Sequence, residues 1–315
     1  MSVYTEVRHD DLVAFLDEYD VGVLVSYQGI SEGIENTNYF VTTARGEFVL
    51  TLFEQHEFSE LGYFLDVMTF FYQHNIPSAH PQPDKQKRYL KTLCGRPAAL
   101  VVRLSGRGVE SVASLEQCQA IGDVLGRMHI VGQHFTGHRQ SQRDQAWRQQ
   151  TAASLRAKLD EEQSALLQEE LSFQADYDQL NLPAGLTHSD LFRDNALFEN
   201  NELKGIIDFY YACDEYLLYD LAVAVNDWCI DSSGYLEQTR YQALMLSYIR
   251  QRSLTAHEVS HWNKVLRAAA LRFWLSRLQD MHFPREGELT QIKDPDAFLT
   301  ILKQHRDQPL IVAAA

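Results

Sequence analysis

Cysteine and proline are scarce in this chain, positive charge is in deficit, and long apolar runs are missing. The 315 residues contain four cysteines, Cys94, Cys118, Cys213 and Cys229, and none forms a C-x-x-C pair. Zinc-knuckle and dithiol redox chemistry are therefore excluded by spacing. Each cysteine lies in or beside an apolar segment, so buried thiols are expected. No apolar run approaches the ~20 residues that a membrane-spanning helix needs. The opening MSVYTEVRHDDL has neither the apolar core of a signal peptide nor an Arg/Ser-rich transit character, so a cytoplasmic location is expected. Lys and Arg number 28 against 43 Asp and Glu, a net charge of −15. Nucleic acid and anionic membrane attract basic surfaces, so neither is an expected partner. A cationic or zwitterionic small molecule suits the charge. No expectation follows for the oligomeric state.

What is present is an ordinary globular composition, 45% hydrophobic and 23% charged, in a chain long enough for one large or two modest domains. The first part reads as β-rich. Asp10 is the expected N-cap of a short helix. Val21 to Tyr27, Thr37 to Thr43 and Phe48 to Phe53 read as strands of an antiparallel meander. Phe58 to Tyr72 has helical spacing through Leu61, Phe64, Leu65, Met68, Phe71 and Tyr72. Arg88 to Leu93 and Ala98 to Leu104 add two strands around the turn Cys94-Gly95-Arg96-Pro97. The turn after the first strand holds Gly29 and Gly33. Such a hairpin can approach phosphates through its backbone, although Glu32 and Glu35 make it acidic and an ordinary hairpin fits as well.

The flexible crossing Ser105-Gly106-Arg107-Gly108 suggests a boundary near Arg103, with domains at 1–103 and 104–315. Beyond it the pattern is helical. Ser114-x-x-Gln117 is a capping-box signal. The polar stretch Gly137 to Arg148 reads as a loop. Ala153 to Leu180 reads as one or two helices, with Asp160-Glu161-Glu162 as a solvated face. Further helices are expected over Leu217 to Cys229, Tyr235 to Gln251, Leu254 to Asp280 and Pro295 to His305.

The chemistry gathers at His188-Ser189-Asp190-Leu191-Phe192-Arg193-Asp194-Asn195 and Gly205-Ile206-Ile207-Asp208-Phe209. An apolar run, Ala184 to Thr187, precedes the first motif, and the turn Asn200-Asn201 separates the two. Asp190, Asn195 and Asp208 thus stand on loops at strand ends. Phosphoryl transfer calls for such a set: one carboxylate to accept the proton of an attacking hydroxyl, a carboxamide and a second carboxylate to hold Mg²⁺ against nucleotide phosphates. The D-to-N offset matches the catalytic loop of protein kinases, and Asp208-Phe209 stands where their metal-binding D-F pair would, with Tyr210 in place of the glycine. The bland reading is a loop of solvated acids. His188 is expected to orient the loop. Arg193 would face the transferring phosphate or a substrate carboxylate, or make a loop ion pair. Asp220 falls in a first helical turn, where the helix dipole favours a carboxylate. Asp227 and Trp228 lie seven residues beyond Asp220 and Leu221, on the same helix face. With Tyr211 and Arg277 they are candidate linings of an acceptor pocket, helix packing being the alternative for each.

A β-rich first lobe, a helical second lobe and these two motifs resemble the aminoglycoside phosphotransferase and choline kinase superfamily. More narrowly, Leu125-Gly126-Arg127-Met128-His129, Ile207-Asp208-Phe209-Tyr210-Tyr211-Ala212 and Tyr219-Asp220-Leu221-Ala222-Val223-Ala224-Val225-Asn226-Asp227-Trp228-Cys229 resemble its bacterial homoserine kinase family. The resemblance runs from about Tyr4 to Arg306. It implies an α+β, protein-kinase-like bilobal fold and ATP- and Mg²⁺-dependent phosphorylation of the L-homoserine hydroxyl, a step toward threonine. Kinases of choline, aminoglycosides or methylthio-sugars are the alternative. It further implies Asp190 as base, Asn195 and Asp208 as metal ligands, and adenine bonded to main chain near Val101 and Val102, between the lobes. One departure stands out: where such kinases carry a cation on the third strand, this chain has Thr51.

Overall fold

Helix α1, His9–Leu16, buries Leu12, Phe15 and Leu16 against the first sheet. Its N-cap is Arg8, not Asp10; Asp10 and Asp11 lie inside the first turn, where their carboxylates meet the positive end of the helix dipole. This computed structural model describes residues 5–30, 36–284, 293–310 and 312. The chain divides into two compact units, and the division falls between Ser105 and Gly106.

In the first unit, strands β1 (Leu24–Gly29), β2 (Asn36–Thr43) and β3 (Gly46–Phe53) form the expected meander. Helix α2, Phe58–Gln73, follows and buries five of the six residues whose spacing predicts it, with Val67 besides; Tyr72 is exposed. Strands β4 (Lys91–Leu93) and β5 (Arg96–Val102) complete an antiparallel sheet of order β1-β2-β3-β5-β4. The β4–β5 turn is tighter than the sequence suggests. Only Cys94 and Gly95 form it, both at positive φ (51° and 76°), the conformation of a two-residue hairpin. Leu50, Leu52 and Leu100 are fully buried and fix the register of the central strands.

The second unit is mainly helical, as expected. Helix α3, Leu115–Gly132, opens with the Ser114–Gln117 capping box. Helix α4, Gln145–Leu155, begins within the stretch read as loop, because the Asp144 carboxylate accepts the Trp147 N–H at 2.8 Å and starts a helix there. Helix α5, Glu161–Phe173, starts from an Asp160–Gln163 capping box. The acidic run is therefore a helix start, and its three residues are exposed, as expected of a solvated face. Strand β6 (Ala184–Thr187) is followed by the hairpin of β7 (Ala196–Glu199) and β8 (Glu202–Ile206), turning on Asn200 and Asn201 at φ 50° and 64°. Strand β9, Cys213–Tyr216, pairs antiparallel with β6. Helices α6 (Leu217–Trp228), α7 (Gln238–Gln251), α8 (Ala256–His282) and α9 (Pro295–Asp307) close the unit. Helix α3 lies against α7 at Gly122 and Gly126, where an added Cβ would come within 2.1 Å of the Leu244 carbonyl oxygen and 2.6 Å of Gln251 Cβ. No helix among the described residues is long and apolar enough to cross a membrane.

Candidate active site

Strand β6 ends at Thr187, and the motif loop begins one residue later at the foot of α6. Every residue of α6 is buried, and one of its faces presents three polar groups to the loop. At its start, Asp220 accepts the N–H groups of His188 at 2.8 Å and Ser189 at 2.7 Å. At its end, Asp227 accepts the Arg193 N–H at 2.8 Å and the Arg193 Nε at 3.2 Å. Beside it the Trp228 indole N–H donates to the Leu191 carbonyl at 2.9 Å. The loop is thus pinned at both ends and in the middle, with Asp190 between the pins. The shared face inferred from the seven-residue spacing is realised, but it faces the loop. Trp228 is 0% exposed, so it packs beneath the loop and lines no acceptor pocket. Asp227 and Arg193 are spent on each other, and Arg193 Nη1 also bonds the Ser111 carbonyl at 2.9 Å. Of its three expected placements, Arg193 therefore takes the loop ion pair.

Asp220 is no helix cap. It is fully buried and carries a polar chain: Arg252 Nη1 donates to the Tyr248 hydroxyl at 3.1 Å, that hydroxyl meets His129 Nδ1 at 2.7 Å, and His129 Nε2 meets Asp220 at 3.1 Å. Burial alone would raise the Asp220 carboxyl, but the His129 hydrogen bond and the His188 N–H bond outweigh it and hold the group below the usual carboxylate range. Burial lowers His129. The pair is an ionised carboxylate and a neutral imidazole that donates from Nε2 and accepts at Nδ1.

His188 is equally constrained. Its Nε2 meets the Ile207 carbonyl at 3.0 Å, and its Nδ1 meets the Asp190 N–H at 3.3 Å. One tautomer satisfies both contacts, the neutral ring protonated at Nε2. Burial lowers its pKa in the same sense. Its ring also packs on Phe209, centroids 4.7 Å apart. His188 therefore ties the residue before Asp208 to the backbone of Asp190. The Ile207 N–H, donating to the Asn195 carbonyl at 3.0 Å, ties the same segment to the loop's far end.

The Asp190 side chain is 17% exposed. Its Oδ2 accepts from Asn195 Nδ2 at 3.2 Å, and its Oδ1 from Arg272 Nη1 at 3.3 Å. Burial pushes the carboxyl above its ordinary range, and the Arg272 charge pulls it back only in part. Asn195 turns its amide nitrogen to Asp190, which leaves the amide oxygen as the end that can meet a cation. Asp208 is exposed and left-handed, at φ 63° and ψ 59°, just past β8. A carboxamide oxygen and an exposed carboxylate are hard donors of the kind Mg²⁺ takes, so the residues present fit that ion.

Of the other acceptor-pocket candidates, Tyr211 lines a small cavity beside Ser189 together with Arg139, Arg143, Tyr219 and Arg272. Arg277 instead donates to the Asp294 carbonyl at 2.8 Å and lies over the Phe298 ring, holding the start of α9. Sequence reading missed Asp220 as the loop's anchor and all three cavity arginines.

The nucleotide candidates lie in the first unit. Gly29 pairs with Tyr39 inside the β1–β2 ladder, and Gly33 is outside the described residues. Val101 sits in register with Val49, and the Val102 N–H already donates to the His80 carbonyl at 2.9 Å. That N–H is therefore already used within the first unit. Thr51 is buried, and its hydroxyl donates to Asn38 Oδ1 at 2.8 Å. A neutral cross-strand pair thus stands where a cation was expected.

The profile of the Phosphotransferase enzyme family matches residues 26–259. The chain is 47% identical to a homoserine kinase of Methylobacillus flagellatus, covering 99% of this chain and 98% of that one. It is 42% identical to a homoserine kinase of Cupriavidus pinatubonensis, covering 96% of each. Among solved structures, an amicoumacin kinase in complex with AMP-PNP, Ca²⁺ and Ami superposes with a TM-score of 0.72 over 98% of this chain and 96% of its own, at 17% identity. A microcompartment-associated aminopropanol kinase superposes with a TM-score of 0.66 over 95% of this chain and 94% of its own, also at 17% identity. These structural likenesses show a shared kinase-like fold.

Proposed function

We propose that this chain, which belongs to the homoserine kinases of the Phosphotransferase enzyme family, transfers the γ-phosphoryl group of ATP to the side-chain hydroxyl of L-homoserine, giving O-phospho-L-homoserine. The observation that carries the proposal is the pinned loop. Asp190 stands between an amide and a guanidinium, on a segment fixed by Asp220 and Asp227.

In this reading Asp190 orients the acceptor hydroxyl and takes its proton as the phosphoryl group arrives. Its raised pKa suits a base that must also release that proton. His188, neutral, and Asp220, ionised, keep the Asp190 backbone in place. Asn195 and Asp208 would hold Mg²⁺, which when bound neutralises charge on the transferring phosphoryl group. Phosphoryl transfer through a loose transition state depends on position more than on base strength, so rigid attachment of the loop serves the reaction directly.

ADP release tests the proposal, measured with Mg·ATP and a panel of L-homoserine, L-serine, choline, an aminoglycoside and no acceptor. Turnover confined to L-homoserine is expected. Turnover on choline or the aminoglycoside instead would keep the phosphotransferase chemistry and reject the acceptor.

A further inference from the structure

The two oxygens of Asp190 face different neighbours. Oδ2 meets Asn195, and Oδ1 meets Arg272. On the Arg272 side lies the small cavity, with an accessible volume of about 20 Å³, room for about one water-sized group. Arg139, Arg143 and Arg272 line it with Ser189, Tyr211 and Tyr219, and no carboxylate is among its lining residues. The Arg272 side chain is 4% exposed. Its guanidinium lies over the Tyr211 ring at 5.1 Å, and that of Arg143 lies over the same ring at 5.6 Å. The Nε atoms of both arginines are buried without a hydrogen-bond partner. Two buried guanidinium donors left unpaired around one aromatic ring carry a desolvation cost that an anion in the cavity would relieve.

From this geometry we infer that the cavity is the subsite for the acceptor's carboxylate, with Arg143 and Arg272 as its donors and Tyr211 as its wall. The inference rests on the reading of Asp190 as the base for an amino-acid alcohol. A nucleotide phosphate is the other anion available. It is disfavoured because the candidate metal ligand Asn195 lies on the opposite oxygen of Asp190, and because the cavity admits one small group and not a polyphosphate. Homoserine matches the layout, since a short aliphatic link separates its hydroxyl, destined for Asp190, from its carboxylate. Arg272 touches both Asp190 and the cavity, so it would set the position of the hydroxyl through the carboxylate it holds.

The test compares wild type, Arg143→Met and Arg143→Lys on L-homoserine and on 3-aminobutan-1-ol, in which a methyl group replaces the carboxylate. In Arg143→Met the preference for homoserine over the amino alcohol should fall roughly 10- to 100-fold, mainly through KM for homoserine, with KM for ATP shifted by about twofold at most. Arg143→Lys should restore part of the preference. An equal loss on both acceptors, or a rise in KM for ATP with homoserine unaffected, would overturn the inference. A wild type that does not phosphorylate homoserine overturns the functional reading and the subsite with it. A wild type active on homoserine whose preference survives Arg143→Met overturns the subsite alone.

Discussion

Asp220 accepts the backbone N–H of Ser189 at 2.7 Å, and Ser189 stands at φ 63°, a left-handed conformation uncommon for a residue with a side chain. The carboxylate thereby stabilises the bend that presents the next residue, Asp190. Asp220→Asn keeps the shape but offers an NH₂ where two N–H donors converge. It also leaves His129 without its anion. Breaking a buried charged network of this kind costs roughly 3–5 kcal/mol. Urea denaturation is expected to show that loss, and kcat in whatever folded fraction remains is expected to fall while KM for ATP changes little.

Helices α3 and α7 touch backbone to backbone at Gly122. Gly122→Ala would bring a methyl group within 2.1 Å of the Leu244 carbonyl oxygen, so the helices must separate. A loss of roughly 1–3 kcal/mol is expected, in the range of overpacked cores. Thermal unfolding reads it out, and an unchanged Tm would contradict the close contact.

His305 makes stability depend on pH. Its Nε2 meets Asn226 Oδ1 at 2.7 Å, and burial, reinforced by Arg267, lowers its pKa to about 4. The unfolded chain takes up this proton as pH falls through about 6.5, while the folded chain holds off until about 4. The contribution is therefore complete above the unfolded value and is lost as pH falls toward 4. Between pH 7 and 5 this single group costs about 2 kcal/mol. Urea unfolding at the two pH values should show the loss, and His305→Gln should flatten it.

The acid limb of catalysis should report Asp190. The reaction needs its ionised form, and burial raises its pKa above the ordinary carboxylate range. kcat/KM for homoserine is therefore expected to fall, as pH is lowered, at a value above the ~4 of a free carboxylate. A limb at or below that value would show that the environment of Asp190 is more polar than its burial indicates.

Much of this site is written locally in the chain. The five-residue offset of Asp190 and Asn195, the hairpin on Asn200-Asn201 and the shared face of Asp220, Asp227 and Trp228 all depend on neighbours a few residues apart, and turn chemistry and helical periodicity expose them. The β6–β9 pairing was not legible, because Cys213-Asp214-Glu215-Tyr216 has no apolar alternation. Asp220 reads as a cap from its position in a first turn. Its true partners, His129 and Ser189, lie 91 and 31 residues away. The arginine cavity draws on the 139–143 segment, Tyr211 and Arg272, which only tertiary packing brings together. Trp228 shows the converse error: a residue type at home in an acceptor pocket is used here to hold the loop.

The central claim is that Asp190 is the base for phosphoryl transfer to homoserine. It is tested most directly by kcat of Asp190→Asn on L-homoserine, with ATP affinity measured on the same preparation by calorimetry. A fall in kcat of roughly 10²- to 10⁴-fold is expected, with the ATP dissociation constant close to wild type. Full turnover by a variant that still binds ATP would contradict the claim.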